Sequence, residues 1–401
     1  MVKSEMKVSP YDLFVKLICL YGVISFLYTF FSRIYASYIV GFSFLLIIGY
    51  IYLKTLKRKD ITIILFLFLT IFSTLVNSGI SSANLQHNMY FSFSILLINK
   101  LCEYSFRKKL VFSFKKNEKL ILVTVITLSF ISLLSFFIPN CYSGYVYSGF
   151  AANFHSVGIN MGYLALLIIL YLYNKEFKLV YLLWFVIPLI GVVESTARIS
   201  LVTIILIIYI YYQLKLKGRN LKYLLIPILF YGVFKLFINS SSYEKFILAA
   251  NDQYISTNRL EAVTSGRLTW WKIDIDTFLN FDFFNKLFGV GNDFVYYINK
   301  TQYGLDIWAH NDFIQLLLAT GFVGLSGYVI IISYLYITLF KIRKKIPVKL
   351  MPEIVLVFIA SIAMFNGYYL GTQNSICLIL MLVISSYNAK WKEERKNAQY
   401  V

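Results

Sequence analysis

Acidic residues are scarce in this chain. Nineteen Asp and Glu stand against 38 Lys and Arg in 401 residues, and charged residues make up 14% of the total. Soluble domains carry about 25%, so a water-facing surface of ordinary composition is excluded. Cysteine is limited to Cys19, Cys102, Cys141 and Cys377, with no CxxC and no close pair. That spacing offers neither a disulfide framework nor a thiolate metal site. Histidine occurs only at His87, His155 and His310. No GxSxG, HExxH or Walker sequence is present, which removes the common hydrolase, zinc-protease and NTPase signatures. Low-complexity segments are missing, and so is the internal repeat that marks many secondary transporters.

What the chain has in excess is apolar length, with 59% hydrophobic residues. Taking about 17–25 apolar residues per span, candidates lie near Leu13–Phe31, Tyr35–Leu53, Ile61–Val76, Met89–Phe106, Leu120–Ile138, Ile159–Tyr173, Leu179–Val193, Ile199–Leu214, Tyr223–Ile238, Val323–Phe340, Glu353–Leu370 and Ser375–Tyr387. The first follows Lys3 and Lys7 without a small-residue cleavage site and reads as an uncleaved span. The expected fold is an all-α integral membrane protein with about twelve transmembrane helices and one large, partly helical extracytoplasmic loop. Residues 1–238 would hold nine spans and 239–312 the outer loop region. Residues 313–401 would hold a helix returning to the membrane, three more spans and a cytoplasmic tail.

Charge placement gives the orientation. With the N-terminus inside, the inside loops and the two ends hold 28 of the 38 Lys and Arg, whereas the outside loops Asn77–Asn88, Pro139–Gly158 and Gly371–Asn374 hold none. This is the bias that retains basic loops on the cytoplasmic side, so both termini are expected there. It also accounts for the net charge of +19 without nucleic acid, which is not expected as a partner. Asn239–Asp312 then lies outside. It carries nine acids and six bases, nearly half of the chain's acids. Structureless loops beyond about 12–15 residues are usually functional or disordered. Apolar residues at helical spacing over Arg259–Phe284 predict one or two helices capping the outer face.

Glu194-Ser-Thr-Ala-Arg198 joins the end of one span to the start of the next. Two readings stand. Glu194 and Arg198 form an i,i+4 ion pair closing a tight turn, or the guanidinium points into an outward cavity and grips an anion in bidentate fashion. Arg267 falls in Ser265-Gly-Arg-Leu-Thr-Trp270-Trp271. A base in the first turn opposes the helix dipole, which makes a purely structural role less comfortable. Trp270 and Trp271 suit stacking on a sugar or seating at the lipid interface. His310, followed by Asn311 and Asp312, sits where the polar segment returns to an apolar helix. It is either a satisfied polar side chain or a general base, since an imidazole of unperturbed pKa about 6.5 works at neutral pH. Asp274-Ile-Asp276 has the spacing of a DxD metal site, although alternating acids on an exposed surface are common. Gly289-Val-Gly-Asn292 reads as a turn, because no strand and helix flank it. No metal and no cofactor are expected.

These pieces together resemble the O-antigen ligase and polymerase superfamily, bacterial membrane glycosyltransferases of GT-C-like type. The resemblance is best over Glu194–Gly327. It rests on Thr196-Ala-Arg198, Gly266-Arg267-x-x-Trp270, Phe288-Gly289-Val-Gly291, His310-Asn311-Asp-Phe-Ile-Gln315 and Gly321-Phe-Val-Gly324-Leu325, in that order. Gly149-Phe150-Ala-Ala-Asn153 is a fainter match. The chain departs from the pattern at Ala197, where serine is usual, at Ala319, where an acid is common, and at His155, where a second asparagine is frequent. The resemblance implies a metal-independent transferase whose partners are polyprenyl-diphosphate-linked oligosaccharides, as donor and acceptor, within membrane lipid. A chain-length regulator is a further implied partner. Carried over residue by residue, Arg198 and Arg267 clamp the diphosphate and His310 orients or deprotonates the acceptor hydroxyl. Glu194, Trp270, Trp271, Asn311 and Gln315 line the substrate. A diphosphate leaves without protonation, so the carboxylate pair of a glycosidase is not required.

A polymerase is preferred to a ligase, because no additional soluble domain offers docking for a protein acceptor and because the Phe, Tyr, Ile and Lys bias suits capsule or O-antigen clusters. A lipid-linked glycan flippase predicts ionisable residues at mid-membrane and symmetric halves. Here the spans are mostly uncharged at their centres and the polar mass lies on one side.

Overall fold

The helix Arg58–Ser78 shows why this chain needs a membrane. Its mean hydropathy is 2.1, yet only 22% of its apolar window is buried inside the protein. Phe68 and Phe72 are 68% and 57% exposed and stack on one another facing outward. Apolar surface of that extent is unfavourable in water at about 25 cal/mol per Å² and is at home in lipid. The computed structural model describes residues 9–31, 36–143, 146–151, 153–195, 197–216, 267–304 and 306–387.

The helices are α1 (Pro10–Phe26), α2 (Tyr28–Phe31), α3 (Ala36–Lys54), α4 (Arg58–Ser78), α5 (Ser82–Leu101), α6 (Tyr104–Lys116), α7 (Glu118–Ser135), α8 (Phe154–Leu172), α9 (Val186–Glu194) and α10 (Arg198–Tyr211). After residues 217–266 come α11 (Arg267–Leu279), α12 (Phe283–Phe288), α13 (Asn292–Tyr303), α14 (Asp312–Ile342), α15 (Met351–Phe365) and α16 (Thr372–Ser386). A two-stranded hairpin, β1 (Tyr142–Ser143) and β2 (Val146–Tyr147), precedes α8. The protein is an all-α membrane protein. Among the described residues α4, α7, α8 and α14 are long and apolar enough to cross a membrane, judged by length and composition. Helices also overlap the other expected spans except Tyr223–Ile238, which lies outside the described residues.

The structure differs from expectation after α5. Lys100 and Glu103 do not burden an apolar span, because the helix ends at Leu101 and the Lys100 ammonium is buried against Asp60 at 2.9 Å and Glu103 at 3.3 Å. The basic segment that follows is largely helix α6. Its Phe106, Leu110, Val111 and Phe114 face the core at helical spacing, while Lys108 and Lys109 face out.

Helix α14 does most to place the segment that precedes it. It kinks at Gly321, where φ is 64° and ψ is −163°, and a kink frees carbonyls from the helical ladder. The turn after α12 repairs this. Val290 N donates to the Leu318 carbonyl at 2.9 Å and Gly291 N to the Ala319 carbonyl at 3.0 Å. Contact this close requires glycine on both sides. A Cβ at Gly289 would lie 2.3 Å from the Ala319 backbone, and one at Gly321 would lie 2.4 Å from the Leu287 backbone. The end of α4 clasps the same turn, with Ser73 donating to the Phe288 carbonyl at 2.8 Å and Asn77 to that of Gly289 at 2.7 Å. A second apolar core then joins α11, α13 and α14 through Trp271, Phe278, Val295, Ile314 and Leu318.

Candidate active site

His310 stands in the left-handed region at φ 53°. That conformation is uncommon away from glycine, and an outlier of this kind costs on the order of 1–3 kcal/mol. Its neighbours hold it there from both sides. On the N-terminal side, the Trp271 indole donates to the Ala309 carbonyl at 3.0 Å, and Ala309 N donates to Gln315 Oε1 at 3.1 Å. On the other side, Asn311 caps α14 by accepting from Phe313 N at 2.9 Å and Ile314 N at 3.2 Å. Asp312, fully buried, accepts from the Tyr328 hydroxyl at 2.7 Å, Tyr368 N at 2.8 Å and Tyr369 N at 3.2 Å. Trp308 lies over the imidazole with ring centroids 4.6 Å apart.

A chain of amides carries this anchoring back to α4 and α5. Gln315 Nε2 donates to Asn292 at 3.2 Å, Asn292 donates to Asn84 at 2.9 Å, and Asn84 donates to the Thr74 carbonyl at 3.0 Å. The residues read as substrate contacts thus divide. Asn311 and Gln315 accept from, and Trp271 donates to, the protein's own backbone, and Trp270 is half-buried one position before Trp271 on α11. His87 belongs to this framework too, with Tyr369 and Tyr296 hydroxyls each 3.0 Å from its ring nitrogens.

The His310 ring itself is not fully satisfied by these contacts. Its Nδ1 is buried and has no hydrogen-bond partner among the described residues. Burial, and then electrostatic interaction with Arg267 and His155, push its pKa from 6.5 down to about 3. The ring is therefore neutral, a far weaker base than an unperturbed imidazole. The same effect shows that Arg267, His155 and His310 share one electrostatic neighbourhood. Arg267 opens α11, and its guanidinium donates to the Phe365 carbonyl at the end of α15.

His155 was not assigned a role on sequence grounds. The available signal was a histidine, one of three, in an outer loop at the start of a span. It lies in the first turn of α8, whose cap is Asn153. One turn on, a Cβ at Gly158 would meet the Ser200 hydroxyl at 2.0 Å and the Ser195 hydroxyl at 3.2 Å. The α8 N-terminus therefore touches the turn between α9 and α10. Glu194 closes α9 and Arg198 opens α10 on either side of that turn. The Arg198 side chain, like Thr196 and Gly266, lies outside the described residues.

Asp274 and Asp276 do not form a paired chelate. Two positions apart on α11 they point to different faces, Asp274 fully buried and Asp276 exposed. Burial pushes the Asp274 carboxyl from 3.8 up to about 7, and neither oxygen has a hydrogen-bond partner among the described residues. The folded state holds this proton to higher pH than the unfolded chain does. Its contribution to stability is full below pH 3.8 and is lost as pH rises to about 7. Asp274→Asn is accordingly expected to raise the melting temperature of the detergent-solubilised protein at pH 8, by an amount worth a few kcal/mol. The gain should vanish near pH 4, and an equal gain at both pH values would refute the assignment.

Residues 182–329 match the family model described as O-Antigen ligase. That stretch begins in the segment leading into α9 and ends within α14, so it takes in Arg198, Arg267 and His310. The match agrees with the superfamily resemblance of the motifs. It supports a function of the O-antigen ligase and polymerase type, a glycosyltransferase-like activity and lipid-linked oligosaccharide substrates in general. No curated protein and no solved structure matches the chain.

Proposed function

We propose that this protein is an O-antigen or capsular polysaccharide polymerase, a metal-independent inverting glycosyltransferase. It moves a growing glycan from polyprenyl diphosphate to the terminal sugar hydroxyl of another lipid-linked repeat unit. The reaction takes place on the outer face of the bacterial cytoplasmic membrane, with both termini in the cytoplasm. The observation that carries this reading is His310, whose buried Nδ1 is unpartnered among the described residues beside the charge of Arg267.

Arg267 and Arg198 bind the diphosphate and stabilise the charge that grows on it as it leaves. The acceptor hydroxyl attacks the anomeric carbon from the opposite side. Its new C–O bond forms as the bond to the diphosphate oxygen breaks, and the electron pair departs with the diphosphate. The hydroxyl proton passes to His310 Nδ1. Burial first, and then the charge of Arg267, make His310 a weak base, and the negative diphosphate opposes the second of these. Base strength therefore rises once the donor is bound. Trp270 and Glu194 flank the sugars, whereas Trp271, Asn311 and Gln315 act by fixing the loop. A chain-length regulator is the proposed protein partner.

A ligase, which transfers the finished glycan to a lipid core, is the second reading, favoured by the description of the matching family. Supplying purified enzyme with a single lipid-linked repeat unit and a lipid-core acceptor separates the two. A polymerase yields a ladder of lengthened lipid-linked glycans, and transfer to the core alone would establish the ligase. Chelation of divalent metal is expected to leave the rate unchanged. A strict metal requirement would contradict the metal-independent mechanism.

A further inference from the structure

Arg267 and His310 reach the site from different segments, one at the start of α11 and the other just before α14. Both rest on the loop between α15 and α16. The Arg267 guanidinium donates to the Phe365 carbonyl, and the Phe365 ring lies 6.2 Å from that of Trp271. Two residues beyond His310, Asp312 accepts from Tyr368 N at 2.8 Å and Tyr369 N at 3.2 Å. The loop is itself tied down. Asn374 of α16 donates to the Gly367 carbonyl at 3.2 Å and to that of Tyr368 at 3.1 Å, while the Tyr369 hydroxyl meets His87 Nδ1 at 3.0 Å. All of these loop residues lie beyond the stretch 182–329 that matches the family model.

Gly367 is the tightest point of the loop. Its φ is 74°, and a Cβ there would lie 2.1 Å from the Trp308 indole and 3.0 Å from Asp312 Oδ1. The missing side chain is what admits the indole. That same indole lies over the His310 imidazole with centroids 4.6 Å apart, so the glycine, the indole and the imidazole each set the place of the next. The atoms a methyl would meet first belong to the far edge of a side chain, which can swing aside as backbone cannot. Alanine at this position therefore displaces the indole before it disturbs the fold.

We infer that the loop Phe365–Tyr369 fixes His310 and Arg267 relative to one another, with Gly367 and Trp308 as positioning residues: the glycine seats the indole, and the indole holds the imidazole plane. What this hold serves rests on the transferase reading above. A base and a diphosphate clamp act together only at a fixed separation, and a misplacement of about 1 Å costs up to about 10²-fold in rate.

Diethyl pyrocarbonate, which acylates unprotonated imidazole, tests the hold without depending on transfer. Full-length protein in detergent is labelled at neutral pH and the histidine peptides are quantified by mass spectrometry. His87, whose ring nitrogens both meet tyrosine hydroxyls, reports by its protection that the fold is intact. Gly367→Ala and Trp308→Ala are each expected to raise His310 labelling by about threefold or more, as cover is lost from the ring. Both should lower kcat for glycan transfer by about tenfold, with KM for the lipid-linked donor changed by less than about twofold. Trp308→Phe has a shorter ring that clears the methyl, so adding it to Gly367→Ala should recover part of the lost kcat. Gly304→Ala, with a φ of 69° and no atom within 4 Å, should leave labelling and kcat at wild-type values. If Gly367→Ala fails to accumulate, Trp308→Ala carries the same readings. Unchanged His310 labelling in folded Trp308→Ala would overturn the inference. A raised KM at unchanged kcat would do so too, by making Trp308 a substrate contact. Raised labelling with normal transfer would uphold the hold and count instead against His310 as the place of transfer.

Discussion

Arg267→Ala is expected to slow glycan transfer by about 10²–10³-fold, while the amount of protein in the membrane stays at the wild-type level. The magnitude is that of removing one preorganised donor from the place where negative charge develops. Two consequences separate this from a structural loss. Burial and, after it, Arg267 hold the His310 pKa down at about 3, so removal of Arg267 should raise that pKa while burial still keeps it below 6.5. The pH profile of the residual activity should then move its acid limb upward. Arg267→Lys keeps the charge but loses the planar fork, and should fall between the two. His310→Ala and Arg198→Ala are expected to abolish elongation as well, again with intact abundance. Normal polymer in all three would sink the site assignment.

The second large effect is on folding. Gly321→Ala is expected to cost more than about 3 kcal/mol and to deplete the protein from membranes. The added carbon meets the Leu287 backbone at 2.4 Å, and backbone, unlike a side-chain end, has no rotamer by which to withdraw. The positive φ of 64° adds strain for any residue with a Cβ. Gly289→Ala meets the Ala319 backbone from the other side and should behave alike. Gly304→Ala is the control: its φ is 69° but no atom lies within 4 Å of the added carbon. It bears the strain alone and should lose about 1 kcal/mol. Equal abundance of the Gly321 and Gly304 variants would show that the backbone contact does not matter.

How far the sequence revealed this arrangement depends on the range of each interaction. Apolar length and the capping residues act locally, so the helical class and the start of α14 at Asn311 and Asp312 were legible. Gly289-Val-Gly291 was legible only as a turn, and Gly321-Phe-Val-Gly324 only as a piece of the resemblance. That Gly289 and Gly321 touch follows from tertiary packing, and no local pattern encodes it. Gln315 and Trp271 illustrate the same limit from the functional side. Their chemistry suits a glycan, yet the fold spends both on the Ala309 peptide, one at its nitrogen and the other at its carbonyl. His155 is the converse case, a residue set aside for departing from a motif and then found to act electrostatically on His310. The strength of His310 as a base also escaped, because a pKa of about 3 comes from burial and neighbouring charge that only the fold assembles.

The central claim is that glycan transfer occurs where His310, Arg267 and His155 meet. Photo-crosslinking tests it most directly, using a diphosphate-linked glycan analogue with a photoreactive group beside the anomeric carbon, followed by mapping of the labelled peptides. Labelling is expected within the first turns of α8 and α11 and in the loop bearing Trp308 and His310, and it should be competed by unlabelled lipid-linked repeat unit. Competable labelling confined to the opposite face, around Lys57 and Glu103, would contradict the account.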